Sequence, residues 1–303
     1  MNNDIRSGQK HWLFAGALLL LTVLTLGSAC QGQEWPYFVT YSAEMEEPGN
    51  LEIATKSVIG KPPNGNRFSG TAMEFEYGAK GWWTTEFYLD GVTVAQDSTI
   101  FTGFRWESRF RPLAREHWIN PVLYVEFENL NGANKSMLEV VGHDGLPDFA
   151  ERNAVARQDK QRELELKLIL GSNFKGWNLS ENIIAEKNLS NGPWEFGYAI
   201  GAARPLKLEA GTRKCNFCAQ RFAAGAEMYG GLGDRDTLGL HNTSQYVGPT
   251  VNWTSLSAWT LSFSPQFGLN DYSVPRIYRF GISREISQIF AKMRFLHRHG
   301  EGQ

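Results

Sequence analysis

Cys215 and Cys218, in "CNFC", carry chemistry of their own. One C-x-x-C pair supplies half of a tetrahedral zinc site, and no second pair or histidine cluster accompanies it. In an oxidising compartment a local disulfide is the better expectation, with a redox-active or metal-binding pair as the alternatives. His241 and Ser244 in "LHNTSQ", and His143 in "GHDG", are the residue types of a lipid hydrolase. No orienting acid or oxyanion hole accompanies them at a defined spacing, so catalysis is not the expectation. No glycine-rich phosphate loop opens a helix after a strand, and the sequence indicates no nucleotide, cofactor or metal.

The third set of candidates is ionic. In "TGFRWESRFRP", Phe104, Trp106 and Phe110 alternate with Arg105, Glu107, Arg109 and Arg111. Extended backbone sends successive side chains to opposite faces, so one face is aromatic and the other charged. Neighbouring segments repeat the pattern. Glu74 and Glu76 oppose Met73, Phe75 and Tyr77; Glu86 and Asp90 lie on 82–90; Glu126 and Glu128 oppose Leu123, Val125 and Phe127; Glu163, Glu165 and Lys167 oppose a leucine row. If these segments pair in order, acid, base and acid face each other across three strands. Arginine–carboxylate pairs would then fill the interior, or opposed charged walls would select small polar or ionic solutes.

Many such segments, each near ten residues and separated by turn signals such as "EPGN" and "GAKG", point to an antiparallel transmembrane β-barrel. They begin at Tyr37–Glu46 and Leu51–Ile59 and end at Trp259–Leu269 and Arg276–Ile286. About twelve strands are expected. Apolar faces then meet lipid and charges line the lumen. Trp35, Trp82, Trp83, Trp118, Trp177, Trp194, Trp253 and Trp259 fall near segment ends, where interfacial girdles form. A soluble sandwich or lipocalin-like barrel is the alternative, and it leaves the long Trp-, Phe- and Leu-rich faces unexplained.

The chain has 303 residues, 42% hydrophobic and 13% aromatic, with 31 glycines, 3 cysteines and a formal net charge of -2. Near neutrality gives no reason to expect nucleic acid as a partner. A basic start followed by "WLFAGALLLLTVLTLGSAC" predicts a secretory signal peptide over 1–29, with a retained anchor as the alternative. Cys30 raises lipidation, although Gly27 stands where such signals usually have Leu. The barrel is expected over 35–286. Within it, 131–162 is a charged, partly helical insertion, with Asp148 as helix cap and the helix outside the wall. A basic C-terminal tail follows over 287–303.

The stretches "EFEYGAKGWWTTEFYLDG", "FTGFRWESRFRPL", "HWINPVLYVEFENLNG" and "RIYRFGISREI" together resemble a group of uncharacterised bacterial outer-membrane β-barrel proteins of similar length. The resemblance implies a signal peptide, a barrel and an outer-membrane address, and no established activity. The functional expectation is a narrow channel for small polar or ionic solutes, touching outer-membrane lipids, its selectivity set by Arg105, Arg109, Arg111, Glu74, Glu76, Glu86, Glu126, Glu128 and Glu165. A structural or binding barrel closed by internal salt bridges is the alternative, and a lipid-modifying hydrolase a more distant one.

Overall fold

The computed structural model describes residues 35–137, 140–143, 145–190, 192–208 and 215–289. The expected signal peptide, Cys30 and most of the expected tail lie outside them. The strands are β1 (Leu51–Gly60), β2 (Phe68–Lys80), β3 (Trp83–Val94), β4 (Thr99–Phe110), β5 (Asn120–Asn131), β6 (Lys160–Phe174), β7 (Trp177–Asn188), β8 (Trp194–Pro205), β9 (Phe222–Asp234), β10 (Gln245–Thr254), β11 (Trp259–Gly268) and β12 (Arg276–Ile286). Each pairs with its sequence neighbours, and β1 pairs antiparallel with β12 from Leu51↔Ile286 to Gly60↔Ile277, closing the barrel. Closure leaves no sheet edge with unpaired backbone groups, which is the condition for a sheet to cross lipid.

The chemistry of the connections follows from geometry. Lys175 and Gly176 join β6 to β7 with φ of 50° and 81°. Two central residues of positive φ make the turn whose twist matches an antiparallel pair. Connections 81–82, 111–119, 175–176, 206–221 and 255–258 share one end with the start of β1 and the finish of β12, here called the terminal end. Connections 61–67, 95–98, 132–159, 189–193, 235–244 and 269–275 form the loop end.

Burial is inverted relative to a water-soluble protein. Trp106 is 59% exposed while its neighbour Arg105 is 1% exposed. Met73, Phe87, Leu123, Leu166, Ile183, Ile200, Phe263 and Phe280 all stand exposed on the outer face, and Glu74, Glu86, Asp90, Glu126 and Glu165 are buried. An apolar belt of this extent is stable only against hydrocarbon, so the barrel is transmembrane. Trp83, Trp177 and Trp259 open their strands and Trp253 lies next to the end of β10, so all four gather at the terminal end as a girdle.

Two expectations are corrected. Tyr37–Glu46 is extended but is not a strand. Both neighbours of β1 are already taken, by β2 and β12, so this segment has no ladder to join and lies inside the lumen instead. The 131–162 insertion does not lie outside the wall. Its helices, α1 (Leu146–Ala150) and α2 (Asn153–Ala156), bury Phe149 and Ala156 in the same apolar cluster as lumen residues. Burial of that surface outweighs the solvation of its charged residues. Gly145, not Asp148, is the N-cap of α1; Asp148 sits three residues on and its carboxylate accepts the Gly145 N–H at 2.9 Å.

The wall makes room for both intruders with small side chains. The lumen-facing positions of β8 and β9 include Gly197, Ala199, Gly201, Ala203, Ala223 and Gly225. A Cβ on Gly201 would lie 2.6 Å from the Tyr37 ring, and one on Gly70 of β2 would lie 1.9 Å from the Lys135 carbonyl oxygen.

Candidate functional site: a charged lumen crossed by two inward segments

Arg105 on β4 donates to Asp90 on β3 at 2.9 Å and to Glu126 on β5 at 3.2 Å, so the expected acid–base–acid order across three strands is present. Arg109 reaches further. It pairs with Glu76 on β2 and Glu86 on β3, and its Nε lies 3.1 Å from Glu107 on its own strand. Arg111 lies past the end of β4 and donates to the Gly81 carbonyl at 3.0 Å, so it belongs to the terminal mouth. Glu74 takes Lys56 of β1 at 2.8 Å, and Glu165 takes Lys167 at 2.8 Å, with both side chains of the second pair wholly buried. Glu128 is buried nearer the loop end, where its carboxylate groups with those of Glu165 and Glu186. Burial of so many ionised groups is tolerable only because acids and bases interleave and aromatic rings cover the cations. Tyr88 lies 4.3 Å under Arg105, and Tyr124 lies 4.2 Å from the Lys167 ammonium.

The inward segments complete this network. Tyr41 of the 35–50 segment packs edge-on against Tyr124 at 5.2 Å and donates its hydroxyl to Glu107 at 2.9 Å. Asn182 of β7 accepts the Tyr41 N–H at 2.6 Å and donates to the Tyr41 carbonyl at 2.9 Å. The firmest hold is on Glu227 of β9. Its carboxylate accepts the N–H groups of Phe38 at 3.2 Å, Val39 at 3.0 Å and Thr40 at 3.1 Å, and the Gln266 amide at 2.8 Å. Three consecutive backbone donors converging on one carboxylate form an anion nest. From the loop end, Arg279 donates to the Met137 carbonyl and to the Tyr229 hydroxyl.

Phe38 and Val39 meet Met137, Val140 and Phe149 in one buried cluster that includes Phe68 of β2 and Ala199 of β8, on opposite sides of the ring. An apolar septum therefore spans the lumen. On its terminal side lies a cavity of about 430 Å3 whose lining carries eight glutamates against Lys56, Arg109 and Arg111. Toward the loop end lies one of about 350 Å3 with seven acids against Lys135. The two share no lining residue. Lys135 is outside the strands, and burial holds its ammonium below the usual lysine range.

Lys56, Glu227, Arg279 and Tyr41 are among the lumen residues that the sequence expectation did not include. The first three follow from the same alternation once their strands are in register. Tyr41 had a fainter signal, the glycines and alanines at lumen positions of β8 and β9 that leave room for the segment carrying it. The Cys215 and Cys218 sulfurs are bonded at 2.06 Å, in the connection between β8 and β9. Ser244 is buried and donates to the Tyr272 carbonyl at 2.9 Å, while His241 stands exposed. His143 bonds Thr237 Oγ1 at 2.8 Å and lies 3.8 Å from Asp234.

No family model matches the chain. No curated protein matches it. Among solved structures, an outer membrane channel from Pseudomonas putida F1 superposes with a TM-score of 0.53 at 11% identity, covering 80% of this chain and 97% of that one. The NanC porin gives 0.45 at 11% identity, over 77% and 98% of the two chains. The KdgM porin gives 0.43 at 5% identity, over 78% and 98%. The first of these likenesses agrees with the fold derived above, a closed antiparallel transmembrane barrel.

Proposed function

We propose that the protein is an outer-membrane channel for small cationic or polar solutes, closed in this conformation by its own 35–50 segment. The observation that carries the reading is the pair of acid-rich cavities separated by a septum that one inward segment helps to build. Acidic mouths concentrate cations and repel anions. The segment is held mainly by hydrogen bonds, which exchange at modest net cost. The similar barrel from Pseudomonas putida F1 is described as an outer membrane channel, which supports the reading. Such barrels carry short turns on the periplasmic side and longer loops outside, so the end with the tight turns at 81–82 and 175–176 faces the periplasm, the terminal cavity opens there and the 132–159 connection faces outward.

Single-channel recording in planar bilayers tests this. The full-length protein is expected to give brief, cation-selective openings. Glu227→Ala, which removes the acceptor of three backbone donors, is expected to lengthen the open time about tenfold, the effect of weakening the docked segment by about 1.4 kcal/mol. A second reading, a structural barrel closed by its ion pairs, is favoured by the nearly complete burial of Arg105 and Lys167. Absence of conductance from both proteins at every voltage would leave that second reading standing.

A further inference from the structure

The β10–β11 seam is incomplete at its middle. Pairing runs through Tyr246↔Gly268 and Val247↔Phe267, then resumes in the same register at Val251↔Phe263. The register places Pro249 directly opposite Pro265 in the gap. Proline has no N–H, and in sheets it is confined to edges, first residues and bulges, none of which applies to these two positions. Both prolines lose their donor to the same seam, because β9–β10 and β11–β12 pair without interruption past them. The Pro249 carbonyl instead accepts the Ser264 hydroxyl at 2.8 Å. The lumen positions flanking the proline pair hold polar groups without a protein partner: Thr250 Oγ1 and Gln266 Oε1 are buried and unbonded.

The lipid side of this seam is shaped. An apolar groove of about 500 Å3 is lined by Val251 and Trp253 of β10, Leu261 and Phe263 of β11, and Phe280 and Ile282 of β12. Val251 and Phe263 are the first rung below the gap. Ser262, Gly281 and Ile282 line both this groove and the terminal cavity, and Ser262 and Gly281, two small residues, pair across β11 and β12, so the wall between the two spaces is thin there.

The geometry points to a lateral gate: β10 and β11 part at the Pro249–Pro265 pair, and a small amphipathic molecule passes there between lumen and membrane. Its polar group takes the free Thr250 hydroxyl and Gln266 carbonyl oxygen, and its apolar part enters the groove. The route is distinct from axial ion passage and needs no opening of the septum.

The test uses cells whose outer membrane carries the full-length protein, with N-phenyl-1-naphthylamine, an apolar dye that fluoresces on entering hydrocarbon, as the probe. Cysteines at Val251→Cys and Phe263→Cys, facing each other below the gap, are oxidised to lock the seam. A control pair, Ile183→Cys with Tyr198→Cys, locks the uninterrupted β7–β8 seam. The expected result is dye entry falling about tenfold when the first pair is locked, returning on reduction, with no effect of the control lock. Pro249→Val with Pro265→Val, which restores both donors, should slow entry in the same direction. Equal dye entry with the β10–β11 seam locked and unlocked, or equal entry with and without the protein, overturns the gate. Planar-bilayer conductance of the same locked protein separates the two proposals: it is unchanged if only the lateral route is blocked, and its absence throughout counts against the axial channel alone.

Discussion

Arg105 sits between Asp90 and Glu126 with 1% of its surface exposed. Replacing it by methionine takes the cation out from between these two buried carboxylates. Breaking a buried pair in this way costs about 3–5 kcal/mol, which urea unfolding in detergent micelles should read as a lowered midpoint. Adding Asp90→Asn to the same chain is expected to return part of the loss, since one stranded charge is removed. Arg111→Met should stay within about 0.5 kcal/mol of wild type, because its partner is a backbone carbonyl at the mouth. Lys135 gives a pH dependence at this scale. Burial lowers its pKa in the folded state, so holding it charged costs stability below that pKa. The cost vanishes as pH rises through the folded pKa toward the ordinary lysine value. Its charged neighbours Glu151, Asp148 and Asp97 act the other way and are outweighed. Protection of 132–156 from protease should therefore increase as the pH rises toward the ordinary lysine value of about 10.5, and Lys135→Met should remove that change.

At the scale of elements, the 35–50 segment is the part whose role alternation concealed. Tyr37, Val39, Tyr41, Ala43 and Met45 alternate with polar residues as a strand would, and the chain is indeed extended there. What decides against a strand is not local: β1 has both partners, so the segment satisfies its backbone largely through side chains of the wall, among them Glu227, Asn182 and Thr84. The readable sign was on other strands. Glycine and alanine at successive lumen positions of β8 and β9 leave a hollow that something else must fill. Filling that hollow tests the argument. Gly201→Leu places side-chain atoms where the Tyr37 ring now lies and should displace the segment. Thr40→Cys, buried at 5% exposure, should then react with a water-soluble maleimide at least about tenfold faster than in the Gly201 background. Equal labelling rates would mean that the segment leaves the lumen without help.

At the scale of the molecule, inside-out polarity was legible because it repeats: every strand contributes the same two-residue rhythm, and errors at single positions average out. The pairing of β3, β4 and β5 was legible for a related reason, since sequential antiparallel strands leave one order for their charges. The septum was not legible, because its residues come from 35–50, from 132–156 and from opposite walls, and only closure brings them together. Closure also concentrates charge that the composition hides. A chain of formal net charge -2 places eight glutamates around one cavity and seven acids around the other. These charges sit in low-dielectric walls, where a field is felt more strongly than in bulk water. An ion crossing the barrel passes both, so selectivity is expected to be a joint property of the two mouths. Neutralising the terminal mouth alone, with Glu46, Glu47 and Glu285 changed to Gln, should move the reversal potential in a tenfold KCl gradient part of the way toward zero. Adding Glu151→Gln and Glu195→Gln at the loop end should carry it further. If the terminal substitutions alone abolish cation preference, the loop-end cavity plays no part in permeation, and its acids serve only to hold the 132–156 segment in place.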